Sequence, residues 1–112
     1  MGKPFKLQPI LDLAEQEAEK SAMRLGALTA QQEQLDLKLQ LLMRYREEYL
    51  ERFRKTLREN PRNAAFGNFH EFMNKLDTAI DQQQASVEQA RQQVAAGKHE
   101  HLDRRRRVKA FG

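Results

Sequence analysis

Counting from Leu11 in alternating steps of three and four meets Leu11, Ala14, Ala18, Ser21, Leu25, Leu28, Gln32, Leu35, Leu39, Leu42, Arg46, Tyr49, Phe53 and Thr56 without a slip of phase. Most of these residues are apolar. Such a heptad pattern, with its a and d positions apolar, confines a chain to helices that bury a narrow seam against another helix. A second series has the same spacing: Phe69, Met73, Leu76, Ile80, Gln83, Val87, Ala90, Val94, Gly97, His101, Arg104, Val108 and Phe111.

The boundaries follow from local chemistry. Pro9 suits a first helical turn, and Asp12 and Glu15 complement the positive end of a helix dipole, which predicts helix 1 over residues 9–58. Asn60-Pro61 stops it, because proline lacks an amide donor and disfavours helical geometry in the residue before it. A turn is expected over 59–67. Asn68 and Glu71 have the side chains of a capping box, so helix 2 is expected over 68–111. Two heptad helices joined by so short a turn run antiparallel, each covering the other's seam. The predicted fold is all-α, a two-helix antiparallel coiled-coil hairpin forming a single domain over residues 1–112, about 65 to 75 Å long at 1.5 Å per residue.

Centring the turn near Pro61 pairs Phe53 with Phe69, Tyr49 with Met73, Leu42 with Ile80, Leu35 with Val87 and Leu28 with Val94. Beyond these come Leu25 with Gly97, Ser21 with His101 and Ala18 with Arg104. Those layers are small or polar and bury little apolar surface, so a loose far end is expected.

Composition supports the helical reading and excludes much else. Leu, Ala, Gln, Glu, Lys and Arg predominate, cysteine is absent, and 39% hydrophobic against 32% charged residues leaves too little apolar mass for a round core. The absence of cysteine removes any disulfide framework, and the N-terminal MGKPFKLQP lacks the apolar stretch of a secretion signal. No segment approaches the roughly 20 apolar residues of a membrane span. A cytoplasmic location is expected. The net charge of +4 is carried by the C-terminal stretch, where Lys98, Arg104, Arg105, Arg106, Arg107 and Lys109 outweigh Glu100 and Asp103.

No residue pattern points to catalysis, and no metal or cofactor is expected. His99 and His101 are two apart, so on a helix they point away from each other, whereas helical ligand pairs need four-residue spacing. His70 stands alone. Ser21 and Ser86 have no histidine and acid at a spacing recognisable as nucleophile activation. The scattered glycines form no phosphate-cradling loop. The chain is expected not to be an enzyme. The run of four arginines admits an alternative, a basic coiled coil that binds nucleic acid or serves as a structural rod, although it lacks interleaved aromatics or a zipper placed after a basic region.

The residues out of place are aromatic. Tyr49 at d fills a seam layer with its hydroxyl at the wet edge. Tyr45, however, falls at g, where coiled coils usually carry Glu or Lys, as do Phe72 and Ala79. In an antiparallel pair these g residues share one lateral face with the edges of Leu42, Tyr49 and Leu76. Three readings remain open: the rings widen a thin core, Arg52 covers them by cation–π stacking, or the face docks a partner.

The segments LDLAEQEAEKSAMRLG, LLMRYREEY and FHEFMNKLDTAIDQQ, in that order, resemble the flagellar FliJ family. That resemblance implies a non-enzymatic component of the flagellar type III protein export apparatus, cytoplasmic and peripheral to its membrane-bound part. It implies a stalk-like coiled coil that links the hexameric export ATPase FliI to the export gate protein FlhA and escorts export chaperones, with no nucleic acid partner. The family's gate-contacting surface maps onto Leu42, Tyr45, Tyr49, Phe72, Leu76 and Ala79, with Gln83 and Lys38 at neighbouring positions. Arg104, Arg105, Arg106 and Arg107 would suit an acidic ring lining, by analogy with a stalk in a rotary ATPase. Any membrane association would be peripheral. Family members usually run on past the position of Gly112, so the C-terminal extension implicated in chaperone binding is expected to be missing.

Overall fold

The structure, a computed structural model, describes the backbone of residues 2–63 and 66–112 and the side chains of 7–62 and 66–112. Two helices account for nearly all of it: α1, Gly2–Glu59, and α2, Phe66–Phe111. Among the described residues there is no strand. The Asn60 amide donates to the Thr56 carbonyl at 2.8 Å, and a short 3-10 turn, Pro61–Asn63, follows. Ala64 and Ala65 of the expected turn lie outside the described residues.

Both helix starts differ from the sequence-based placement. α1 begins at Gly2, with Pro9 inside it rather than in its first turn. A proline there gives up a single amide bond and crowds one carbonyl of the preceding turn, a local cost set against a helix that continues for many turns. α2 begins at Phe66, which puts Asn68 and Glu71 inside the helix instead of at a capping box. The reason is tertiary: the Phe66 ring packs edge-on against Phe53 at 5.6 Å, and this contact orders residues ahead of the cap signal.

The chain forms two compact units. One comprises Met1–Glu33 with Gln89–Gly112, the other Gln34–Glu88. Within each, facing residues rise in number on one helix as they fall on the other, so the helices run antiparallel as the heptads require.

In the Gln34–Glu88 unit, Phe53 stacks on Phe69 with centroids 3.8 Å apart, Arg46 reaches Asp77 at 2.6 Å, and the Gln83 side-chain amide donates to the Leu35 carbonyl at 2.9 Å. Met73, Leu76, Ile80, Gln83 and Val87 are buried, and Leu35, Leu39, Leu42, Tyr49 and Phe53 are half-buried opposite them. Leu50 and Leu57, at heptad position e, are half-buried as well, so the covered stripe of α1 here is wider than its a and d residues.

In the other unit the layers Leu25 with Gly97 and Ser21 with His101 form as predicted. The expected looseness does not. Ser21 is 1% exposed, and Ala14, Ala18, Ala90, Val94 and Gly97 are all buried. Small seam residues bury little area each, but they let helix axes approach closely, and the shorter separation closes the gap that long side chains would otherwise fill. The Ser21 hydroxyl donates to the Ala18 carbonyl at 2.7 Å and meets His101 Nδ1 at 2.9 Å. With the hydroxyl hydrogen committed to the carbonyl, the ring N–H is the donor to Ser21 Oγ, and a polar layer is satisfied without water.

Gly97 marks how close the approach is. A Cβ there would lie 3.1 Å from Leu28 Cδ1 and 3.4 Å from Leu25 Cδ1, whereas one on Gly26 would meet open space. Gly97→Leu is therefore expected to destabilise by about 1–3 kcal/mol through overpacking. Gly26→Ala should stabilise by up to about 1 kcal/mol through helix propensity alone. Thermal unfolding followed by circular dichroism checks both, and equal shifts of the same sign would refute the close approach.

Candidate docking face

Six rings gather in the Gln34–Glu88 unit because two spacings meet. Tyr45, Tyr49 and Phe53 are one turn apart on α1, and Phe66, Phe69 and Phe72 are three apart on α2. Antiparallel packing interleaves them. Phe53 and Phe69 lie nearly parallel, at 8°. Tyr49 stacks on Phe69 at 5.7 Å and tilts onto Phe72 at 4.5 Å, and Tyr45 closes the series edge-on to Phe72 at 6.0 Å. Edge and offset contacts of this kind align the positive ring edge with a negative face, and each is worth about 0.5–1.5 kcal/mol beyond the area it buries.

The rings therefore do two things. Tyr49, Phe53, Phe69 and Phe72 are half-buried and widen the seam, while the two end rings, Tyr45 and Phe66, remain 42% and 51% exposed. Their cover comes from one another. Arg52, proposed above as a lid, instead lines a shallow hollow with Glu48, Glu51 and Lys55.

The remaining predicted face residues separate by depth. Leu42 and Ala79 are half-buried, and Ala79 opens onto a polar hollow lined by Glu71, Asn74, Lys75, Thr78 and Gln82. Leu76 and Gln83 are buried in the seam. Gln83 spends its amide on the Leu35 carbonyl, so these two support the face from beneath and do not lie on it. Lys38 is exposed.

Arg46 occupies a seam position, and its guanidinium reaches Asp77. The hydrogen bond to Asp77, then that carboxylate's charge, raises the pKa of Arg46 above its ordinary value, so the guanidinium stays charged. With both side chains about a third or more exposed, its contribution is modest.

The four arginines do not form one surface. Successive helical residues point about 100° apart, so the run spreads around α2. Arg104 is half-buried with its Nε unpaired, and Arg106 pairs with Asp103 at 3.5 Å. Arg105 lies beside His101 and Glu15, and Arg107 beside Ile10, Leu13 and Phe111. Among the described residues no group of His, Cys, Asp and Glu could hold a metal. The structure brings Ser21 and His101 together, as the heptad register predicts. Ser21 is buried and its hydrogen is already donated to backbone, so the pair is a packed layer.

The architecture defines the class: an all-α, two-helix coiled coil carrying a lateral aromatic face. The chain belongs to the flagellar FliJ protein family, whose model matches residues 3–112. Comparison with curated proteins and with solved structures gives no further match. Membership makes it a component of the flagellar export apparatus. Among the described residues no helix is long and apolar enough to cross a membrane.

A double-mutant cycle on Arg46→Gln and Asp77→Asn should give a small favourable coupling that shrinks in 1 M salt. A coupling of zero at low salt would show that the Arg46 charge plays no part in holding this seam.

Proposed function

We propose that the chain is a coupling factor of flagellar export, binding the gate protein FlhA through the Tyr45/Phe72 face and the FliI ATPase hexamer through the end where its arginines lie. On this reading it performs no chemistry and acts by contact from a position peripheral to the membrane-bound apparatus. Leu42, Tyr45, Tyr49, Phe72 and Ala79 supply the contact, and Leu76 and Gln83 set their height from below.

The observation that carries this reading is the exposure of Tyr45. A ring needed only for the seam would turn inward, as Tyr49 does, whereas Tyr45 touches Phe72 by an edge and leaves its other side to water. Aromatic side chains of this kind, part packed and part free, are the usual anchors of interfaces. The arginines, splayed around the helix and partly paired, resemble a solvated end that meets acidic protein more than a nucleic-acid groove, which would set its cations along one track.

Retention of the FlhA cytoplasmic domain in a pull-down tests it. Tyr45→Ala with Phe72→Ala should weaken binding at least about tenfold, corresponding to about 1.4 kcal/mol or more. Retention equal to the unmodified chain would remove the face from consideration. Co-purification with the ATPase hexamer tests the other end.

A further inference from the structure

Along one edge of the unit formed by Met1–Glu33 and Gln89–Gly112, charge is sorted by helix. Heptad positions e and b line that edge. On α1, from Gln8 to Thr29, they hold Asp12, Glu15 and Glu19 and no base; on α2, from Ala95 to Gly112, they hold Lys98, Arg105 and Lys109 and no acid. All six are exposed, and among the described residues no ion pair joins one row to the other. A hollow of about 410 Å³ separates them, walled by Glu15 and Glu19 on one side and Arg105 and Lys109 on the other, with Ala18 and Val108 between.

The rows stand at matching heights. Ser21 meets His101, so α1 and α2 residues whose numbers sum to about 122 are level. Glu15 is thus level with a point midway between Arg105 and Lys109, and Glu19 is two residues from the level of Arg105.

We propose that this edge binds a second copy of the chain, the two lying face to face about a two-fold axis parallel to the helices. Such an axis keeps every residue at its own height and sets α1 of each copy opposite α2 of the other. Glu15 and Glu19 of each copy then face Arg105 and Lys109 of the other, so every row meets its opposite sign. Leu102, 52% exposed on the same edge, comes opposite Ala22 of the other copy, a large residue over a small one. A two-fold axis across the helices would instead set acid upon acid and base upon base, which charge disfavours. A different protein would need both signs sorted into rows at this separation, a pattern the edge supplies for itself. The inference goes beyond the docking reading and uses none of the aromatic face. At Arg105 it competes with the ATPase contact, so its test is made on the chain alone.

Exposed ion pairs are individually weak and screened by salt, so a dimer seen by sedimentation equilibrium at about 100 μM chain in low salt should dissociate in about 1 M salt. Glu15→Lys with Glu19→Lys, and Arg105→Glu with Lys109→Glu, should each raise the dimer Kd at least about tenfold. Mixed together, the two variants should pair again, because each row once more faces its opposite. Circular dichroism verifies that both remain helical; should a reversal unfold the chain, Glu15→Gln with Glu19→Gln reads the same loss of pairing. A monomer in low salt overturns the proposal, as does a dimer that the charge variants leave intact. Failure of the mixed variants to pair overturns it as well.

Discussion

Everything in this structure follows from how closely two helices can approach along a seam of heptad residues. In the Gln34–Glu88 unit the seam is filled with leucines, Met73, Ile80 and stacked rings. In the unit formed by Met1–Glu33 and Gln89–Gly112 it is lined by Ala14, Ala18, Ser21, Ala90 and Gly97. Both are closed, by different means. Bulk fills space in the first, and in the second the backbones themselves come together. Transfer free energy per residue, which scales with area, misjudges the second because it ignores the distance between axes.

The seam is not purely apolar, and most polar members of its layers are paired, Arg104 Nε being the exception. Arg46 turns outward to Asp77, Gln83 donates to the Leu35 carbonyl, and Ser21 takes the His101 ring nitrogen while donating within its own helix. A slip of pairing by one heptad would strand these groups in a half-buried setting. Their role is thus to make alternative registers costly rather than to add much stability to the one observed.

The candidate site grows from the same packing. Three α2 rings three residues apart cannot all face a strip as narrow as an a/d seam, so the series spills onto the flank, where Tyr45 and the edge of Phe72 meet solvent. An export component that works by contact has use for such an edge: rigid rings, already ordered by their neighbours, lose little conformational freedom when a partner arrives.

Helix, phase, antiparallel direction and the pairs Phe53 with Phe69, Leu25 with Gly97 and Ser21 with His101 could all be read from residue spacing, because a 3.5-residue repeat dictates which side chains face inward. The family was legible too, in three segments arriving in order. What spacing could not supply was depth. Leu76 and Gln83 share a flank with Tyr45 on paper, yet they lie beneath it. Phe66 extended α2 past its cap signal, and small residues tightened an end that area alone marked as loose. Each of these outcomes depends on the separation of two helices and the rotamers that fill the gap, quantities that exist only once both strands of the seam are present.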